Sequence, residues 1–134
     1  MADKVDFELV SPERLLLSRA VEMVVVPGSE GYFGVLPGHA PLVSTLNPGV
    51  IDVYENGAID ERIFVGGGFA EVTPERCTVL ADEAMPVKDI DRGKVEADLK
   101  RLREDAAEAK TDAERLSAEA AIAVAEAKLA ALTA

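Results

Sequence analysis

The chain has 134 residues, with 14 basic against 25 acidic side chains, a formal charge of −11 at pH 7 and 49% hydrophobic residues. That length holds one modest core, or a small core with an appended element, and leaves two full domains cramped. The charge argues against an electrostatic grip on nucleic acid or on an anionic membrane, so any membrane association is expected to run through a protein partner.

The start, MADKVDFELV, lacks a basic segment followed by an apolar one. No apolar run approaches the ~20 residues that cross a bilayer, and a cytoplasmic location is expected. Residues 1–87 hold all seven prolines and nine of the ten glycines, and read as many short strands separated by turns. The predicted strands are Val5-Phe7-Leu9, Val21-Met23-Val25, Val35, Leu42 to Leu46, Val50 to Tyr54, Ile59 to Val65, Phe69 to Val72 and Cys77 to Ala81. Pro27-Gly28, Pro37-Gly38, Asn47-Pro48-Gly49, Asn56-Gly57 and Thr73-Pro74-Glu75 supply the turns. Asn56-Gly57 is the most specific of these, because a two-residue hairpin turn needs positive φ at both central positions. The even spacing predicts an antiparallel β-sandwich or flattened barrel.

Residues 88–134 change to an alanine, glutamate and lysine/arginine mixture without proline. Ile90, Val95, Leu99, Leu102, Ala106 and Ala109 recur at helical spacing over 89–109. Thr111-Asp112-Ala113-Glu114 then has the form of a capping box opening a second helix, which runs to about Ala131 with Ala118, Ile122, Ala125, Leu129 and Leu132 on one stripe. The fold class is therefore α+β: a sandwich followed by an antiparallel helical hairpin. Alanine removes little area from water per residue, so the pair suits a weakly held, detachable arm as well as a plain helical cap.

The search for chemistry finds no active site. Cys77 lies in an alternating run and reads as a buried strand thiol, and a single cysteine forms no internal disulfide. Gly66-Gly67-Gly68 is followed by neither G-K-S/T nor a helix, which makes it a turn or bulge rather than a phosphate loop. His39 is the single histidine and has no Cys/His partners at metal-ligand spacing. Ser44 has no nucleophile elbow. Asp60-Glu61 and Asp82-Glu83 are neighbours on strands, so each pair is expected to point to opposite faces and not to act as an acid/base couple. An enzyme of this class would need two acids brought together across strands.

The whole sequence resembles the epsilon subunit of the bacterial F-type ATP synthase. The segment Gly31-Tyr32-Phe33-Gly34-Val35-Leu36-Pro37-Gly38-His39-Ala40-Pro41-Leu42 is similar to the family's G-x-[LF]-G-x-x-P-G-H-A-P-L. Asn47-Pro48-Gly49, Val65-Gly66-Gly67-Gly68-Phe69, Val79-Leu80-Ala81-Asp82 and the helical hairpin fall in register with it. The resemblance implies a non-catalytic rotor subunit of the central stalk, peripheral at the cytoplasmic face of the bacterial inner membrane. Its sandwich, residues 1–87, would dock on the gamma subunit and on the c-ring, with Tyr32, Phe33, Gly38 and His39 as the residues facing the c-ring. Tyr32 stands where some relatives carry an acidic residue. The hairpin, residues 88–134, would fold against the sandwich or extend along gamma to the alpha/beta catalytic head and block hydrolysis. Seven of the eight basic residues after 88 fall between Arg92 and Arg115, and Lys100, Arg101, Arg103 and Arg115 would meet acidic loops of the head. Eleven acids share the region, so an ion-paired helix surface is the alternative. Some relatives bind ATP through I/L-D-x-x-R-A, and a regulatory ATP sensor is the alternative function. Here Ile90 and Asp91 match, with Arg101 further along the helix, but Lys94 replaces the forked guanidinium, Val95 the small alanine, and Gly93 weakens the helix start. These departures argue against tight ATP binding, and no cofactor is expected.

Overall fold

The structure, a computed structural model, describes residues 4–133. Ten strands come first: β1 Val5–Val10, β2 Leu15–Val21, β3 Met23–Gly28, β4 Gly31–Val35, β5 Leu42–Leu46, β6 Gly49–Glu55, β7 Ala58–Val65, β8 Gly68–Val72, β9 Arg76–Ala81 and β10 Ala84–Pro86. A 3-10 turn at Val87–Asp89 leads to α1 Arg92–Ala107 and α2 Asp112–Thr133. Two compact units divide between Pro86 and Val87.

The strands run in the order β10-β7-β6-β3-β5-β8-β9-β1-β2, with β4 on β3. The path turns from one layer to the other where Gly28 pairs with Leu46. Alternation explains the core. Val5, Phe7 and Leu9 of β1, Ala70 and Val72 of β8, and Cys77 and Val79 of β9 are buried with Val24, Val26, Ile51, Val53 and Val65 of the other strands. Burying a side chain of this size stabilises by about 1.5–3 kcal/mol, so the sandwich supplies its own core. Asn56 and Gly57 both have positive φ, 55° and 76°, as the hairpin turn requires.

Three local features differ from the sequence expectation. Leu15–Val21 is a separate strand: its Leu-Leu-Leu start hides the period-2 signal, and Leu16 is an extra residue, since Leu9 faces Leu17 and Val10 faces Leu15. β4 spans Gly31–Val35, where the sequence suggests strand only at Val35, and the Pro37-Gly38 turn lies between β4 and β5. Finally, β1 pairs with β9 in parallel, because the first strand enters between β9 and β2.

The helical unit forms as capping predicts. Thr111 Oγ1 accepts from the Glu114 amide at 3.1 Å, while the Glu114 carboxylate accepts from the amide of Lys110, one residue earlier than the standard box, at 2.8 Å. The two helices pack together and α2 returns as far as the 3-10 turn. The buried residues of α2 are alanines, Ala118, Ala125 and Ala131.

Candidate functional site: an apolar row across the sandwich

The layer β5-β8-β9-β1-β2 buries one face, so the intervening residues point outward. Register aligns Thr45, Phe69, Leu80, Val10 and Leu15 in one row across the five strands. Phe69, Leu80 and Leu15 are 43%, 41% and 55% exposed. With strands ~4.8 Å apart, the row from Phe69 to Leu15 spans ~14 Å. The next row, Val43, Glu71, Thr78, Glu8 and Ser18, is polar except for Val43. An apolar row with a polar border has the layout of a docking surface. Sequence reasoning placed Thr45, Phe69 and Leu80 on strands but missed the strand of Leu15 and the common face, which depends on register between strands distant in sequence.

The glycine-rich segment separates into two places. Tyr32, 63% exposed, lies over Gly49: a Cβ there would stand 2.8 Å from the Tyr32 hydroxyl and 2.9 Å from Pro27 Cβ. Phe33 points to the other face of β4, over Gly28, and its ring centroid is 6.4 Å from that of His39. His39 Nδ1 donates to the Ala40 carbonyl at 2.7 Å. Gly38, at φ +84°, donates its amide to Pro74 O at 2.7 Å, at the Val35 end of β4. Phe33 and His39 are thus brought together, while Tyr32 sits at the Gly31 end beside Pro27 and Gly49.

In the helical unit, Asp91 is the N-cap of α1, and its carboxylate accepts from the Lys94 amide at 3.2 Å. Ile90 is buried and donates its amide to Val87 O. Of the basic residues, Arg101 pairs with Asp98 at 3.5 Å, Arg103 with Glu126 at 3.2 Å and Arg115 with Asp112 at 2.6 Å. Lys100 lines an open groove with Glu96, Leu99 and Leu129. Such exposed pairs are worth about 0–1 kcal/mol each and break readily for a better partner.

The remaining chemistry is structural. The Gly66 amide donates to Glu83 O and Gly67 O accepts from the Asp82 amide, so the triplet is a turn and not a phosphate cradle. Among the described residues no His/Cys/Asp/Glu group has the arrangement of a metal site. Asp60 and Glu61 correct the expectation that they diverge. Val53 faces Glu61 and Tyr54 faces Ile59, so Asp60 is a bulge residue, and both carboxylates accept from Arg19 Nη2. Cys77 is fully buried, and desolvation pushes its thiol up to about 12. The folded protein is therefore expected to resist thiol reagents near pH 8, and denaturant to restore reaction with one equivalent, read by absorbance. Fast labelling of the native protein would contradict the burial.

Residues 4–87 match the family model for the beta-sandwich domain of the ATP synthase Delta/Epsilon chain, and residues 91–134 match that for the C-terminal domain of the ATP synthase epsilon chain. The protein belongs to the ATP synthase epsilon chain family. The epsilon chain of Rhodospirillum rubrum is 56% identical over 131 residues, 98% of each sequence, and that of Maricaulis maris is 53% identical over 127 residues, 95% of each. One subunit of the Euglena gracilis mitochondrial ATP synthase (OSCP/F1/c-ring) superposes with TM-score 0.83 at 28% identity, over 97% of this protein and 82% of that subunit. One subunit of the Tetrahymena thermophila mitochondrial ATP synthase central stalk and c-ring shares the fold, with TM-score 0.64 at 16% identity over 96% of each. The sandwich and the helix pair are thus the two parts of an epsilon chain, in the family's order. No helix among the described residues is long and apolar enough to cross a membrane.

Proposed function

We propose that this protein is a non-catalytic rotor subunit of a proton-translocating ATP synthase, carrying rotation of the c-ring through gamma to the catalytic head. The observation that carries the proposal is the outward-facing apolar row Phe69, Leu80, Val10 and Leu15, whose Phe69, Leu80 and Leu15 are exposed, on a molecule that matches the family over both of its parts. That row is the surface assigned to gamma. Its apolar centre and polar border suit a permanent protein partner. Tyr32, fixed over Gly49, is assigned to the c-ring, and Phe33, Gly38 and His39 complete that docking end. Prebuilt turns leave little entropy to lose on docking. The acidic protein meets the cytoplasmic face of the membrane only through these partners.

The helical unit is assigned to control of hydrolysis. Lys100, Arg101, Arg103 and Arg115 are exposed cations, and the ion pairs of the three arginines are cheap to exchange for acidic loops of the alpha/beta head. An ATP sensor is the weaker reading, because Asp91 is already engaged as a helix cap.

Solubilised membranes provide the test. The tagged protein is expected to co-purify with gamma, the catalytic subunits and the c-ring at one copy per gamma. Recovery without them would overturn the proposal. A variant ending at Val87 is expected to co-purify equally well while hydrolysis by the complex rises, whereas unchanged hydrolysis would remove the inhibitory role alone.

A further inference from the structure

The sandwich has a side that no backbone ladder closes. Among the described residues, the edge strand β2 pairs with β1 alone. Across the core, β10 covers only Ile63, Phe64 and Val65 of β7, which leaves residues 58–62 without a strand on that side. Such edges expose unpaired backbone and fray unless something holds them.

Arg19 alternates in phase with Leu17 and Val21 on β2, so its stem points between the layers. Its Nη2 reaches both Asp60 and Glu61 of β7, the latter at 2.9 Å, and its Nε is buried without a partner. An unpartnered buried donor is a cost with no local return. A methionine would fill the same space without it, so the guanidinium is explained by what its far end does. The β7 bulge at Asp60 has the matching effect, because without the extra residue the two carboxylates would point to opposite faces. Both strands depart from regular pairing, β2 at Leu16 and β7 at Asp60, and the ionic bridge joins the bulge at Asp60 to Arg19, three residues along β2 from Leu16. A second tie crosses from the start of β1 to the end of β6, where Lys4 Nζ meets Glu55 at 2.8 Å.

We propose that Arg19, with the bulged pair Asp60 and Glu61, is a clasp that pins the edge strand β2 across the open side of the sandwich, and that this side is where the sandwich opens first when the clasp is released. Opening here unzips β2 from β1 and uncovers Leu17 and Val21, leaving the ladders β5-β8-β9 and β3-β6-β7 intact.

Amide hydrogen exchange of the full-length protein, resolved to peptides, tests this. In Arg19→Met the β2 amides are expected to exchange at least tenfold faster, while those of β8 and β9 keep their wild-type rates. The double variant Asp60→Asn/Glu61→Gln is expected to give the same pattern. Combining it with Arg19→Met should add little, because both break one interaction. If Arg19→Met does not fold, the wild-type protein supplies the test. At 1 M salt, where the Debye length is ~3 Å, exchange should rise in β2 and not in β8. Unchanged β2 exchange in all of these, or an equal rise across every strand, overturns the clasp.

Discussion

Gly68→Ala is expected to abolish folding of the sandwich, or to lower its stability by at least about 3 kcal/mol, the largest loss for adding one methyl group anywhere in this protein. Two effects meet at this position. Gly68 has φ +134°, a conformation that costs an L side chain about 1–3 kcal/mol. A Cβ there would also stand 2.1 Å from the Leu80 carbonyl oxygen and 2.9 Å from Ala81 Cα, which are backbone atoms of the paired strand and cannot rotate away. The ladder between β8 and β9 would have to separate at its first pair, where Gly68 faces Ala81. Gly31→Ala is the control. It has nearly the same φ, +131°, but nothing within 4 Å of its added Cβ, so it should lose only the conformational part. Thermal and denaturant unfolding of both variants measures the difference. Equal losses would mean that the close approach to Leu80 relaxes at little cost.

Leu80→Asp, and separately Phe69→Asp, are expected to leave the protein folded while weakening its association with gamma at least about 100-fold. Both side chains point away from the core on strands whose inward residues, Ala70 and Val79, are buried, so the fold does not depend on them. Docked, an aspartate in the apolar row would lose its water without gaining a partner, and this penalty adds to the lost apolar contact. Thr78→Ala, one row away, is expected to change affinity by less than about threefold, as polar border residues usually do. Titration of purified gamma with each variant reads the affinities, and circular dichroism reports the fold. Wild-type affinity in both aspartate variants would assign gamma to a different face.

Local rules made much of the fold legible. Asn56-Gly57 named its turn, Thr111 and Glu114 named a helix start, and the alternation of Val5-Phe7-Leu9 and Cys77-Val79-Ala81 named inward faces. What escaped was set by register. Leu15–Val21 was hidden because an edge strand with a bulge need not alternate strictly. The convergence of Asp60 and Glu61 on Arg19 depends on one extra residue in a ladder, which no pattern within Ile59 to Val65 displays. The outward apolar row is likewise assembled from four strands, each contributing one ordinary outward residue. In the glycine and proline segment the turns and Leu42–Leu46 were legible but β4 was not, and β4 carries Tyr32 near its start with Gly38 beyond its end. The motif that carries the resemblance, Gly31 to Leu42, therefore comprises β4 and the turn that leads from it to β5.

The most direct test of the rotor reading is proton-driven ATP synthesis by the complex in sealed vesicles, assembled without this subunit and then with it. The account predicts that the wild-type protein restores synthesis and that Leu80→Asp does not, while the detached catalytic head hydrolyses ATP in either case. Synthesis at the same rate without the subunit, or ATP turnover by the purified subunit alone, would contradict it.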